Sequence, residues 1–484
     1  MKFKQWISAA VASALVVASF SMTTVANAQQ TKTIADETIY DLLVDRYFNA
    51  TAENDYNTDP KDITKFAGGD FKGLVDKFST IEDLGFSIVS IGSVFTTEKY
   101  DGSMVTSYSK IEPHFGTADE LTNVIQTYGQ KNVKVMIDFP LTNVSENHEW
   151  TQDPAKAEWI LETSEGKVQW DLQNEEVQQA LLDAVVDFAS SYEFGGVRLT
   201  NLGNAGTEFI NELIAAIKGT NEKLYVISNE ESDANFDANY FSETTEAFRN
   251  VYKNVDEDSS TLLTNIEPFA KGEQAPTQLM LDTLLTDRFT LTVGAYPPTR
   301  TKLGIVATLL LPGVPVTQYG TELIMNGEAG PEGHQLYNFK TDEEMTDLIG
   351  KVQKLRTESE TIRSGEYKLL KNEDGFLAFE RYSDSETWIV VINNTGKTTR
   401  LDVSAEEIGS GKELHAMLES DTIRETDGSY PIILDREIVE IFQVTDAKGI
   451  NKGYLAALAI VYILFVAFII AIIKRGKKRR AEQQ

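Results

Sequence analysis

A chain of 484 residues with 42% hydrophobic content is long enough to bury a large core and a second domain, which excludes a disordered or repeat protein. It has no cysteine, so a disulfide framework, a thiolate metal site and a cysteine nucleophile are excluded. The net charge of −30, with basic residues clustered at the two ends, leaves a strongly acidic middle that repels phosphate polymers, so no nucleic acid is expected as a partner.

Lys2 and Lys4 precede an apolar run from Ile7 to Phe20, and Ala26-Asn27-Ala28 supplies a small-x-small cleavage pattern, so residues 1–28 are expected to be a secretory signal peptide. Thr38 to Phe48 reads as a first strand and its exit loop. A helix with apolar residues at Phe71, Leu74, Val75, Phe78 and Ile81 follows, then a strand from Ser87 to Phe95, with Gly85 at the boundary; this is one βαβ unit. A helix from Ala118 to Tyr128 leads into a third strand, Val133 to Phe139. Helices at Glu175 to Ser190 and Glu208 to Lys218 flank a fourth strand, Val197 to Leu199, which opens into the loop ending GGVRLTNLGN at Asn204. A fifth strand is expected from Leu224 to Asn229. The sixth is not readable, the seventh is expected at Phe289 to Val293, and the last lies within Leu309 to Glu322, closed by a helix around Met345 to Arg356.

From Gly365 the period changes to two, with turns at Asn372-Glu-Asp-Gly and Asn394-Thr-Gly, which is the pattern of antiparallel strands. Tyr454 to Ile473 is apolar without a charge and ends at KRGKKRR. Twenty residues at a rise of about 1.5 Å cover about 30 Å, one bilayer core, and the basic cluster should stay cytoplasmic. The expected organisation is a signal peptide at 1–28, a barrel domain at 29–360, a β-sandwich at 361–445, a linker at 446–453, a transmembrane helix at 454–473 and a basic cytoplasmic tail at 474–484.

GGVRLTNLGN resembles the fourth-strand motif of the α-amylase family, glycoside hydrolase family thirteen, whose pattern is G-F-R-x-D-x-x-x-H. Gly196 and Arg198 match. The family's nucleophilic aspartate falls on Thr200, and its histidine falls on Asn204. Four further stretches are similar to the same family. Residues 39–48 resemble I-Y-Q-x-x-x-D-R-F, with Tyr40, Asp45 and Arg46 in register. YDGSMVTSYSKIEPHFGT resembles H-G-Y-D-x-x-D-Y-x-x-I-D-P-x-F-G-T, although the histidine becomes Asp101 and the sugar-stacking tyrosine becomes Ser103. IDFPLTNVSENHEW keeps Asp138, Ser145, His148 and Trp150, while a calcium-ligand asparagine falls on Thr142 and a substrate histidine on Asn143. LLLPGVPVTQYGTEL resembles the family's last barrel strand.

The resemblance implies an α/β fold, a TIM (β/α)8 barrel followed by an antiparallel β-sandwich and, in this chain, one transmembrane helix. It implies a family insertion shortened to about residues 144–170, reduced to a loop. Asp171 takes a calcium-ligand position, so Ca2+ is a possible ligand, although no cofactor is required. Glu230 matches the general acid, with Asn229 as the alternative register, and Asp233 three residues on favours Glu230. In GAYPPTR, where the family has N-H-D-x-x-R, Arg300 takes the arginine's place and neither histidine nor aspartate is present.

Retaining glycoside hydrolysis needs two carboxyl groups about 5–5.5 Å apart. A threonine hydroxyl needs an activating base to serve as a nucleophile, and none of the four histidines aligns with a catalytic position. Two readings follow. One is a membrane-anchored extracellular protein that has lost hydrolysis and binds an α-glucan or other glycan, or acts as a scaffold. The other is an active α-glucan hydrolase or transglycosylase with a rearranged catalytic set. The candidate pocket residues are Arg198, Thr200, Glu230, Asn143, Asn204, Ser103 and Arg300.

Overall fold

The computed structural model describes residues 32–340, 343–447 and 452–481. The expected signal peptide lies outside the described residues, and the expected linker lies partly outside them.

Seven parallel strands form the barrel: β1 (Ile39–Asp41), β2 (Ile88–Ser90), β3 (Lys134–Pro140), β4 (Gly196–Thr200), β5 (Tyr225–Ser228), β6 (Gln278–Leu279) and β7 (Val314–Gln318). They pair in the order β5-β4-β3-β2-β1-β7-β6. The remaining place, between β5 and β6, is held by a short segment around Asn239. Asp237 N donates to Val226 O at 2.9 Å, Asn239 N to Pro276 O at 2.8 Å, and Gln278 N to Asn239 O at 2.9 Å. This is why no sixth strand is readable: a single bridge, Asn239 to Thr277, does the work of a strand.

Parallel strands covered by helices are buried on both faces and favour apolar runs. β4 is fully buried along its length, so its one charged residue, Arg198, must find its partners inside the barrel. The crossover helices Ala118–Gly129, Glu175–Ser191 and Thr207–Thr220 fall within two residues of the expected bounds. A capping box at Thr117 and Glu120 starts the first of them.

Three expectations need correction. Phe289–Thr292 is a short helix, not the seventh strand; that strand is Gln278–Leu279. The β-branched residues of Phe-Thr-Leu-Thr-Val favour a strand locally, but Thr290 Oγ1 donates to Met325 O at 2.6 Å and Phe289 N to Asp282 Oδ1 at 2.5 Å, tying the segment down as a turn of helix. The single helix expected across 71–81 is two helices, Phe71–Asp76 and Phe78–Leu84, meeting at Lys77. The insertion at 144–170 is not a loop. It folds as a three-stranded sheet, Val144–Ser145 with Lys167–Trp170 and Ile160–Ser164, over a cluster of Tyr108, His148, Trp150, Trp159 and Trp170. Burial presses the His148 imidazole down to about 3, so it stays neutral within this aromatic core.

The C-terminal domain is a six-stranded antiparallel sheet. Its strands, β8 (Glu366–Glu373), β9 (Phe376–Tyr382), β10 (Thr387–Asn393), β12 (Lys412–Ala416), β13 (Thr422–Arg424) and β15 (Ile438–Asp446), run in the order β8-β9-β10-β15-β12-β13; a ribbon of β11 (Thr399–Ser404) and β14 (Ser429–Leu434) completes the domain. Asp374 and Gly375, with φ of 48° and 84°, form the tight turn between β8 and β9, a conformation that favours glycine. In β9 and β10, Phe376, Ala378, Ile389 and Val391 pack against the ribbon, and Leu377, Phe379, Trp388, Val390 and Ile392 pack against the barrel core. Both faces are covered, so these two strands read as apolar runs rather than as an alternation.

A helix at Lys452–Ala481 ends the described chain, and its segment Ala456–Lys477 is long and apolar enough to cross a membrane. The helix continues through the whole basic cluster to Ala481.

Candidate active site

The carboxyl ends of the barrel strands surround a cavity of about 390 Å³ lined by Arg198, Thr200, Glu230, Asn143 and Ser103, among others. Its position follows from the fold, because parallel barrels place their functional side chains at this end.

The floor is an ion cluster. Arg198 Nε donates to Asp138 Oδ1 at 2.8 Å and Nη2 to Asp138 Oδ2 at 2.8 Å; Nη1 donates to Asp41 Oδ2 at 2.8 Å and Nη2 to Asp41 Oδ1 at 3.0 Å. Asp138 faces Arg198 directly across the β3–β4 pairing, whereas Asp41 stands on β1 and meets the guanidinium across the barrel interior. Burial opposes the charged guanidinium, but the two carboxylates outweigh it and hold Arg198 above its usual range. Burial pushes the Asp138 carboxyl upward, and Arg198 pulls it back.

Thr200 ends β4 on the same inward face as Arg198, two residues away. Glu230 follows β5, and both its carboxylate oxygens accept from Leu202 N at 3.2 Å, placing it against the loop after Thr200. Asn229 also lines the cavity, and its buried side-chain oxygen has no hydrogen-bond partner. Asn143 Nδ2 donates to Asn201 Oδ1 at 3.2 Å, and both residues have left-handed backbone, with φ of 60° and 53°. Ser103 Oγ donates to Asp101 Oδ1 at 2.6 Å, which turns that hydroxyl back onto its own loop.

Two expected pocket residues lie elsewhere. Arg300 is buried in the helix Pro297–Leu310, where its guanidinium donates to Asn394 Oδ1, to Asn254 O at 3.2 Å and to Glu437 Oε2 at 2.6 Å, at the joint between barrel and C-terminal sheet. Asn204 is not part of the cavity wall either. Its Oδ1 accepts from Leu172 N at 3.0 Å and its Nδ2 donates to Asp171 Oδ1 at 3.2 Å, so it pins the 171–174 turn.

The cavity also exposes residues that the sequence reading missed. Because β6 is Gln278–Leu279, the loop entering the cavity is Met280 to Leu285. In that register the family's N-H-D-x-x-R falls on Thr283, Leu284, Leu285 and Arg288, so Arg288, not Arg300, takes the arginine's place. Arg288 is buried, donating to Gly333 O at 2.8 Å and Tyr319 O at 2.9 Å. The aspartate position is an exposed Leu285. The Arg288-Phe289 pair three residues beyond Leu285 was the available signal. His334 lines the cavity as well; Tyr100 Oη sits 2.9 Å from its Nδ1 and Leu284 O sits 2.9 Å from its Nε2, and burial lowers its pKa, so it braces the loop as a neutral ring.

The calcium-ligand positions do not fit the ion. Thr142 Oγ1 accepts from Trp170 N at 2.7 Å, and Asp171 Oδ1 accepts from Gln173 N at 3.1 Å as well as from Asn204. One carboxylate with neutral oxygens already engaged falls short of the six to eight oxygens that calcium takes.

Comparison with known proteins matches residues 41–178 to the α-amylase catalytic domain and residues 365–442 to the α-amylase C-terminal domain. An α-amylase structure from Anoxybacillus superposes with a TM-score of 0.82 at 30% identity, covering 87% of this chain and 100% of the other. The α-amylase of Geobacillus thermoleovorans, in complex with acarbose, superposes with a TM-score of 0.80 at 26% identity, covering 86% of this chain and 100% of the other. The β/α-amylase of Paenibacillus polymyxa is 22% identical over 454 residues; the match spans 84% of this chain and 38% of that longer protein.

Proposed function

This chain belongs to the α-amylase family, and from that premise we propose that it binds an α-glucan or related glycan in its barrel pocket without hydrolysing it. The observation that carries the reading is the pair of neutral residues, Thr200 and Leu285, at two of the three acid positions around a cavity that remains open. Without a carboxylate at position 200 there is no covalent glycosyl intermediate, a loss on the order of 10⁴ or more in rate. Asp41 and Asp138 do not replace it, since both are committed to Arg198. Of the family's acids Glu230 remains, and one acid cannot both protonate the leaving oxygen and activate water on the opposite face of the sugar.

Wild type, Thr200→Asp and Glu230→Gln ectodomains should all show background turnover on maltooligosaccharides and aryl α-glucosides, while wild type binds maltooligosaccharide by calorimetry. Thr200→Asp alone is not expected to restore activity, because catalytic groups act as a unit. Wild-type turnover that disappears in Glu230→Gln would instead establish the active-hydrolase reading.

Two further parts of the reading concern stability and place. Chelator should leave the melting temperature of the ectodomain unchanged, since the donors at Thr142 and Asp171 give calcium little to hold; a large drop would overturn this. The mature chain is proposed to begin near Gln29, to expose the barrel and the C-terminal domain outside the cell, and to cross the membrane once through the helix of 454–473 with its basic end inside. Protease added to intact cells should then remove the ectodomain and leave a small protected fragment. Protection of the whole chain would refute that topology.

A further inference from the structure

We propose that Asp41 supplies the second counter-ion of Arg198, a place that a carboxylate at position 200, two residues along on the same inward strand face, would otherwise compete for. The inference rests on reading Thr200 as standing at the nucleophile position. The opening motif I-Y-Q-x-x-x-D-R-F aligns Tyr40, Asp45 and Arg46, which puts Asp41 where the pattern has a neutral glutamine. The same barrel therefore departs from the pattern twice, losing a carboxylate at one inward strand end and gaining one at another.

The geometry joins the two departures. Arg198 has five N–H donors, and the bonds to Asp41 and Asp138 take four of them. Side-chain exposure is 5% for Arg198 and 9% for Asp41, so neither charge can be left to water. A buried charge left unpaired costs far more than a paired one. A chain that exchanged its nucleophile for threonine and kept glutamine at 41 would leave Arg198 with Asp138 as its one carboxylate in the barrel interior. Asp41 instead meets the guanidinium in a two-pronged contact, the geometry that best matches planar guanidinium to carboxylate. Asp41 is thus a positioning residue. It holds Arg198 in the pocket floor and leaves the wall at position 200 neutral.

The test is a double-variant cycle on the full-length chain, with the melting temperature measured from pH 4 to pH 8. Asp41→Gln and Thr200→Asp should each lower the melting temperature at pH 7, the first by removing a counter-ion and the second by adding a third carboxylate to one guanidinium. The double variant should melt above both single variants. The deficit of Thr200→Asp should shrink as the pH falls towards 4, because a carboxyl with no cation to itself titrates above its unfolded value. That recovery should vanish once Asp41→Gln frees Arg198 to pair with it. If the single variants do not fold, folding of the double variant carries the same result. Additive losses, an unfolded double variant, or an Asp41→Gln protein as stable as wild type would each overturn the proposal. None of these outcomes bears on whether the pocket hydrolyses sugar, which the turnover assays decide.

Discussion

Replacing Arg198 with methionine is expected to destabilise the protein by about 3–5 kcal/mol at pH 7, because it leaves the buried Asp41 and Asp138 without their cation. Methionine keeps most of the side-chain volume, so a packing defect contributes little. The pH dependence identifies the cause. Burial already pushes the Asp138 carboxyl upward and Arg198 opposes that push, so without the cation the cost of the buried charge appears as pH rises through about 4 and is largely absent below it. Denaturant unfolding of wild type and variant at pH 4.5 and pH 7 measures this. A gap of the same size at both pH values would show that lost packing, not lost charge pairing, explains the variant.

Arg300→Met should also cost about 2–3 kcal/mol, for a different reason and with a different signature. Its guanidinium is buried and joins three elements: Asn394 Oδ1 at the end of the β10 hairpin, Asn254 O behind the helix Ser242–Lys253, and Glu437 Oε2 at the start of β15. Hydrogen bonds to charged groups contribute about 1.5–3 kcal/mol each, and Asn394 would lose an acceptor contact in a buried position. The expected calorimetric change is a loss of cooperativity between barrel and C-terminal sheet, with maltooligosaccharide affinity unchanged. A fall in affinity at unchanged stability would return Arg300 to the pocket.

Where a side chain's job was local, the sequence revealed it. The capped helix at Thr117, the long apolar helices and the buried fourth strand all carry their periodicity on the surface of the sequence. Where the job was carried by a partner far along the chain, it did not. Asp41 reads as an ordinary acid at a strand end until Arg198, 157 residues later, is brought against it. The seventh strand is not legible because a two-residue strand has too few positions to show a period, while Phe289 to Val293 has the composition of a strand and the hydrogen bonds of a turn. The same strand-like composition makes Arg300 read as a pocket residue, although it lies in the helix Pro297–Leu310. The losses at Thr200 and Ser103 needed only a register, and the structure puts both residues on the cavity wall.

The bridge at Asn239 has a mechanical consequence. Six neighbouring strand pairs bind the barrel into one stiff staff, but between β5 and β6 the wall is stitched mainly at Asp237, Asn239 and Gln278. That thin seam separates β5, which Glu230 follows, from the loop that carries Leu285. With one buried side-chain bond, Gln278 Nε2 to Ser228 O at 2.7 Å, added to those few backbone bonds, this is the most sparsely paired join in the barrel wall, and sparse backbone pairing is where local opening costs least.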